Sequence, residues 1–195
     1  MNEILRLLGV PEGKADGKII SLISEVTDEL REKSTPMNII KEIPGIDSFN
    51  SEKLSAHFKG CQRFFLMAAT LGAPADSVIR KYSKTDVARG AVAQAAGSYL
   101  IEEYCDKIMK ETDTGGLFFK PRFSPGYGDF DLSYQKIILD TLEAGKRIGI
   151  TLTESYMMIP TKSVTAVLGL TGEQSCNIGK CILCSKKDCE FRKEN

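Results

Sequence analysis

Histidine is nearly absent: His57 is the single imidazole in 195 residues, and no nucleophile-and-base motif surrounds it. Covalent catalysis by an activated side chain therefore has little to work with. Set in a mixed polar and apolar stretch, His57 itself reads as a structural residue. Net charge is missing too, since 26 basic residues balance 26 acidic ones. No overall field draws the chain onto nucleic acid or an anionic membrane, so any charged partner must meet a local patch. Long apolar runs are also lacking. A stretch such as Phe64 to Ala69 falls far short of the roughly 20 residues that cross a bilayer. The opening Met1-Asn2-Glu3-Ile4-Leu5-Arg6 has no basic region ahead of a cleavable apolar core, so a cytoplasmic protein is expected.

A hydrophobic fraction of 42% is enough to bury one substantial core. The organisation expected is a single α+β domain over residues 1–170, its first 50 residues helical in part, with a cysteine-rich tail over 171–195. Ile19, Leu22, Ile23, Val26 and Leu30 recur at helical spacing and predict an amphipathic helix ending near Lys33. Met37 to Ile43 is short, rich in β-branched residues and closed by Pro44-Gly45, as a strand and turn would be. Phe64 to Thr70 reads as a buried strand. Ser83 with Asp86 has the spacing of a capping box, and a long proline-free helix follows to Met109. Its middle is crowded with small residues from Ala88 to Ser98, which suit tight packing or close approach by a ligand. Leu117-Phe118-Phe119 predicts a strand, Leu132 to Lys146 a helix, and Ile150 to Thr153 and Ser163 to Leu170 two further strands. The last of these suits a hairpin with the segment before Pro160. The sum is a mainly antiparallel sheet flanked by helices.

Lys120-Pro-Arg122-Phe-Ser124-Pro125-Gly126-Tyr127-Gly128 is a loop stiffened by two prolines and opened by two glycines. It has the ingredients of a small-anion site: a guanidinium that binds a carboxylate bidentately, a glycine that admits close approach, and a tyrosine hydroxyl. The same residues also read simply as a turn.

Arg122-x-x-Pro125-Gly126-Tyr127, a helix, and then Leu152-Thr-Glu-Ser155 with Pro160 ahead of Ser163-Val164 resemble the activation domain of cobalamin-dependent methionine synthase. Two blocks in the right order and spacing are more specific than either alone. Leu54-x-x-His57-Phe-Lys-Gly60-Cys61 and Ala69-Thr-Leu-Gly72 resemble small stand-alone relatives of that domain. The resemblance covers roughly residues 50–170. It implies an S-adenosylmethionine site in which Arg122 pairs with the ligand's carboxylate, Ser124 and its neighbours hydrogen-bond the ligand, and Tyr127 donates its hydroxyl. An acidic residue on the preceding helix completes the family's site; Glu102 is the equivalent by position, with Glu103 one residue away. A further acidic residue in an aromatic-rich N-terminal segment of the larger members has no counterpart in this chain, which has no tryptophan. The implied activity is accessory: reductive methylation of cobalamin carried by a corrinoid methyltransferase partner, with an electron donor as a possible further partner.

Outside the resemblance stand Cys176, Cys181, Cys184 and Cys189, spaced C-x4-C-x2-C-x4-C. Four thiolates in so short a segment suit zinc or an iron–sulfur cluster, and spacing does not separate the two. Disulfide or redox-thiol chemistry and plain reduced cysteines are the alternatives. Cys61 and Cys105 read as packed thiols. Three functional readings stay open: a reactivation factor for a separate corrinoid protein, a non-catalytic S-adenosylmethionine-binding or docking module, and a metal-dependent redox protein in which the loop is only a turn.

Overall fold

A computed structural model describes residues 1–11 and 13–172. The chain opens with α1 (Asn2–Leu7) and α2 (Gly17–Lys33), the latter capped by Asp16, whose carboxylate accepts the Ile19 N–H at 2.8 Å. Strand β1 (Met37–Ile43), α3 (Glu52–His57) and β2 (Arg63–Thr70) follow. Next come α4 (Ala73–Thr85), α5 (Val87–Glu111) and β3 (Phe118–Phe119). The chain then runs through α6 (Tyr134–Thr141), α7 (Ala144–Ile148), β4 (Thr151–Leu152), β5 (Met158–Ile159) and β6 (Ser163–Thr171).

The main sheet has the order β1-β2-β6-β3, and every pairing in it is antiparallel. Successive residues of β2 and β6 face opposite layers, as the two-residue period of a strand requires. Phe65, Met67, Ala69, Ala166, Leu168 and Leu170 join the core beneath α1, α2, α4 and α5. Leu66, Ala68 and Val167 join a second core beneath α3, α6 and α7. With both faces covered, β2 and β6 read as continuous apolar runs although the sheet is antiparallel. The α+β class, the antiparallel sheet and the flanking helices are thus as expected. Among the described residues, no helix is long and apolar enough to cross a membrane.

Three local expectations differ from the structure. Ser83 is not a cap: it lies inside α4, where its Oγ donates to the Ile79 carbonyl at 2.8 Å. Asp86 caps α5 instead, accepting the Arg89 N–H at 3.0 Å. The helix after the loop is two helices, because Glu143 takes a left-handed φ of 51° between α6 and α7. No hairpin joins β5 to β6. Strand β6 pairs along its length with β2, from Ser163 opposite Thr70 to Leu170 opposite Arg63, while β5 pairs with β4. Eight matched positions outcompete a short turn beside Pro160, which has no N–H to give a ladder.

The small residues of α5 serve packing. A Cβ on Gly90 would lie 3.0 Å from the Ser83 Cα of α4, and one on Gly97 would lie 2.9 Å from Lys162 Cε. At Gly90 the missing side chain lets the backbones of α4 and α5 approach closely, while Gly97 leaves room for the Lys162 side chain.

Candidate functional site

The loop after β3 is pinned at both ends to β6. Lys120 N–H donates to the Gly169 carbonyl at 2.9 Å, and Phe123 exchanges two backbone hydrogen bonds with Val167 at 3.1 and 2.9 Å. Between these anchors the chain keeps the alternation of a strand. Arg122 reaches the α5 layer, while Phe123 joins the aromatic cluster of the opposite layer, with ring centres 5.1 Å from His57 and 6.1 Å from Phe130. One residue of register thus separates a charge site from a core contact.

Arg122 is buried, at 7% exposure, yet it carries two ion pairs. One terminal nitrogen donates to Asp106 Oδ1 at 2.6 Å and lies 3.4 Å from Met109 Sδ; the other donates to Glu102 Oε2 at 2.7 Å. Glu102 and Asp106 are four residues apart on α5, which sets both carboxylates on one helix face. Their side chains stay 47% and 64% exposed. Like charges at that spacing repel, and the guanidinium between them removes the conflict. Burial alone would lower the pKa of Arg122, but charge interactions with Cys105, Glu102 and Asp106 outweigh it and hold the value above the ordinary one. Glu103, the alternative acidic residue, points elsewhere: it accepts from Arg31 at 2.9 Å and from the Tyr99 hydroxyl at 2.8 Å.

Residues 124–130 form a compact turn. Tyr127 N–H donates to the Ser124 carbonyl at 3.1 Å, Gly126 N–H to the Phe130 carbonyl at 2.6 Å, and Phe130 N–H to the Tyr127 carbonyl at 2.9 Å. Gly126 has a φ of 93°, which an L side chain rarely adopts. Pro125 is buried beneath the turn, whereas Tyr127 is 44% exposed and meets Phe123 edge to face at 5.9 Å. The structure therefore groups Glu102 with Arg122, and Tyr127 with the aromatic cluster. Beyond the turn, Asp129 accepts the Ser51 hydroxyl at 2.5 Å and the Glu52 N–H at 2.9 Å, fastening the loop to the start of α3. These bonds, that from Ser51 foremost, hold the Asp129 carboxyl below the usual range.

His57 Nε2–H donates to the Pro121 carbonyl at 2.8 Å, and Lys120 Nζ donates to the carbonyls of His57 and Lys59 at 3.1 and 2.7 Å. The imidazole steadies the entry to the loop, in keeping with its structural reading. Burial depresses its pKa, and the Lys120 charge adds to this against the Pro121 hydrogen bond. The folded state thus takes up this proton at lower pH than the unfolded state, whose value is about 6.5. The contribution is fully present above that value and is lost as pH falls through the lower folded value. His57→Gln, which keeps a donor for Pro121, is expected to flatten that part of the stability profile; urea midpoints of both proteins between pH 7.5 and 5 measure it.

Sequence reasoning singled out Arg122 and Glu102, which the structure brings within 2.7 Å of each other, and passed over Asp106 and Met109, which touch the same guanidinium. The signal was available: both lie on the helical stripe that begins at Glu102. Cys176, Cys181, Cys184 and Cys189 lie outside the described residues. Among the described residues, no group of three or more histidine, cysteine or acidic side chains is placed to hold a metal.

A family model described as vitamin B12 dependent methionine synthase, activation domain, matches residues 70–183. Among solved structures, the crystal structure of the MetH reactivation domain bound to AdoHcy shares the fold, with a TM-score of 0.60 at 15% sequence identity. The match covers 82% of this chain and 66% of that one, so the chain spans a little under two thirds of its length. No curated protein matches the sequence.

Proposed function

The chain belongs to the activation-domain family of vitamin B12-dependent methionine synthase, and on that premise we propose that it binds S-adenosylmethionine and supports reductive methylation of a partner's corrinoid. The observation that carries the reading is the ion pair of Arg122 with Glu102 at 2.7 Å, beside a glycine-containing turn. The amino-acid end of S-adenosylmethionine is a zwitterion, and this pair offers it one guanidinium and one carboxylate. In this proposal Arg122 holds the ligand's carboxylate, and Glu102 faces its ammonium. Ser124, Pro125, Gly126 and Tyr127 line the approach, the exposed Tyr127 hydroxyl donating to the ligand.

Methyl transfer from the sulfonium to a reduced cobalt centre of the partner removes the reduced species and so draws an unfavourable reduction forward. The side chains of this chain supply position and charge, with no nucleophile or base required. The partner is a corrinoid methyltransferase, and an electron donor is a further component. Cys176, Cys181, Cys184 and Cys189 belong to the same proposal as thiolate ligands of an iron–sulfur cluster or zinc, on the strength of their spacing. Metal analysis and the visible absorption of anaerobically purified protein distinguish the two.

The test is the disappearance of Co(II) absorption in a corrinoid methyltransferase supplied with reductant and S-adenosylmethionine. The proposal expects this protein to accelerate it. Indifference to the protein, with S-adenosylmethionine still bound, would reduce the role to a binding module.

A further inference from the structure

We propose that Asp106 competes with the ligand's carboxylate for Arg122 and so sets the affinity of the site. The inference rests on the reading that Arg122 holds that carboxylate. A zwitterionic amino-acid end needs one cation and one anion, and Arg122 with Glu102 already supplies them. Asp106 is a second carboxylate on the same guanidinium, its Oδ1 2.6 Å from a terminal nitrogen. A ligand oxygen bonding that nitrogen needs the volume and the charge complement that Asp106 Oδ1 occupies. Two anionic oxygens do not share that place.

Which carboxylate gives way follows from exposure. Asp106 is 64% exposed against 47% for Glu102, so it returns to water at the lower cost of rearrangement. Four residues of helix separate the two, and a change of the Asp106 rotamer leaves α5 and the Glu102 contact in place. Arg122 itself is 7% exposed, so a ligand reaches it only when a covering side chain moves. Asp106 and Met109 are the side chains in contact with the nitrogen to be freed. Apparent affinity is then the intrinsic affinity reduced by the fraction of molecules in which Arg122 is uncovered.

Neutralising Asp106 raises that fraction. Asp106→Asn and Asp106→Ala are both expected to tighten binding, by about twofold to fivefold for a partly exposed ion pair. The experiment titrates the full chain and both variants with S-adenosylmethionine, S-adenosylhomocysteine and 5′-methylthioadenosine, the last of which has no amino-acid end. Competition for the carboxylate predicts the same tightening for the first two ligands and none for the third. A carboxylate that served to attract the sulfonium would give the opposite result, weaker S-adenosylmethionine binding by both variants. Weaker or unchanged binding, or equal tightening of 5′-methylthioadenosine, overturns the inference and leaves the proposed function standing. Absence of binding by all three proteins overturns both.

Discussion

Arg122→Ala is expected to abolish measurable S-adenosylmethionine binding while the protein stays folded. The lost interaction is a charge-assisted contact made in a largely buried setting, and truncating one partner of such a pair costs about 2–5 kcal/mol. That corresponds to a loss of about 30-fold to several thousand-fold in affinity. Its effect on the fold is smaller, because Glu102 and Asp106 are both well exposed and are returned to water rather than stranded in a core. The residual penalty is like-charge repulsion at four-residue spacing, a few tenths of a kcal/mol. Arg122→Lys separates geometry from charge: one ammonium meets one carboxylate and cannot span both positions held by the two terminal nitrogens. Calorimetry with far-UV circular dichroism on the same samples reads both outcomes. Strong binding by Arg122→Ala would show that the guanidinium is a strut between loop and helix and nothing more.

Phe130→Ala is expected to carry the largest stability effect near the site. Phe130 is 1% exposed, stacks on Tyr134 at 5.0 Å, and meets Phe49 and Phe123 at 5.5 and 6.1 Å. Removing so large a buried ring costs about 3–5 kcal/mol. In a chain of this length each kcal/mol lowers the melting temperature by about 2–4 °C, so a fall of about 10 °C is expected. The ring also roots the turn, whose backbone bonds run between Phe130, Gly126 and Tyr127. Ligand affinity should therefore fall with stability, in contrast to Arg122→Ala, in which affinity falls nearly alone. Thermal melts paired with titrations check the contrast; a melting temperature within 2 °C of wild type, set against the expected fall, would refute the anchoring role of Phe130.

The contrast between these two residues also explains what was legible in the sequence. Strands β1, β2 and β6 declared themselves because each is a short apolar run between turn residues, and α2 because its apolar positions keep a helical period. Helix α4 was obscured by Gly72-Ala73-Pro74, which looks like a breaker although proline in a first turn is a starting signal. Short α3 was hidden for another reason: six residues hold less than two full periods, and its start depends on Asp129, far away in sequence. Arg122 and Glu102 were singled out through spacing within the family resemblance, and the structure pairs them. Asp106 was passed over although it shares the helical stripe of Glu102, because the family pattern marks a single acidic residue there and only folding shows that both reach Arg122. Phe123 and Arg122 illustrate the same limit, since adjacent residues entered opposite layers once β6 had fixed the register of the loop.

The central claim is that this fold presents Arg122 and Glu102 to the amino-acid end of S-adenosylmethionine. Titration of the wild-type 195-residue chain with S-adenosylmethionine, repeated with Arg122→Ala, tests it most directly. The account predicts saturable one-site binding by the wild type and none by the variant. No saturable heat from the wild type, or equal binding by both proteins, would contradict it.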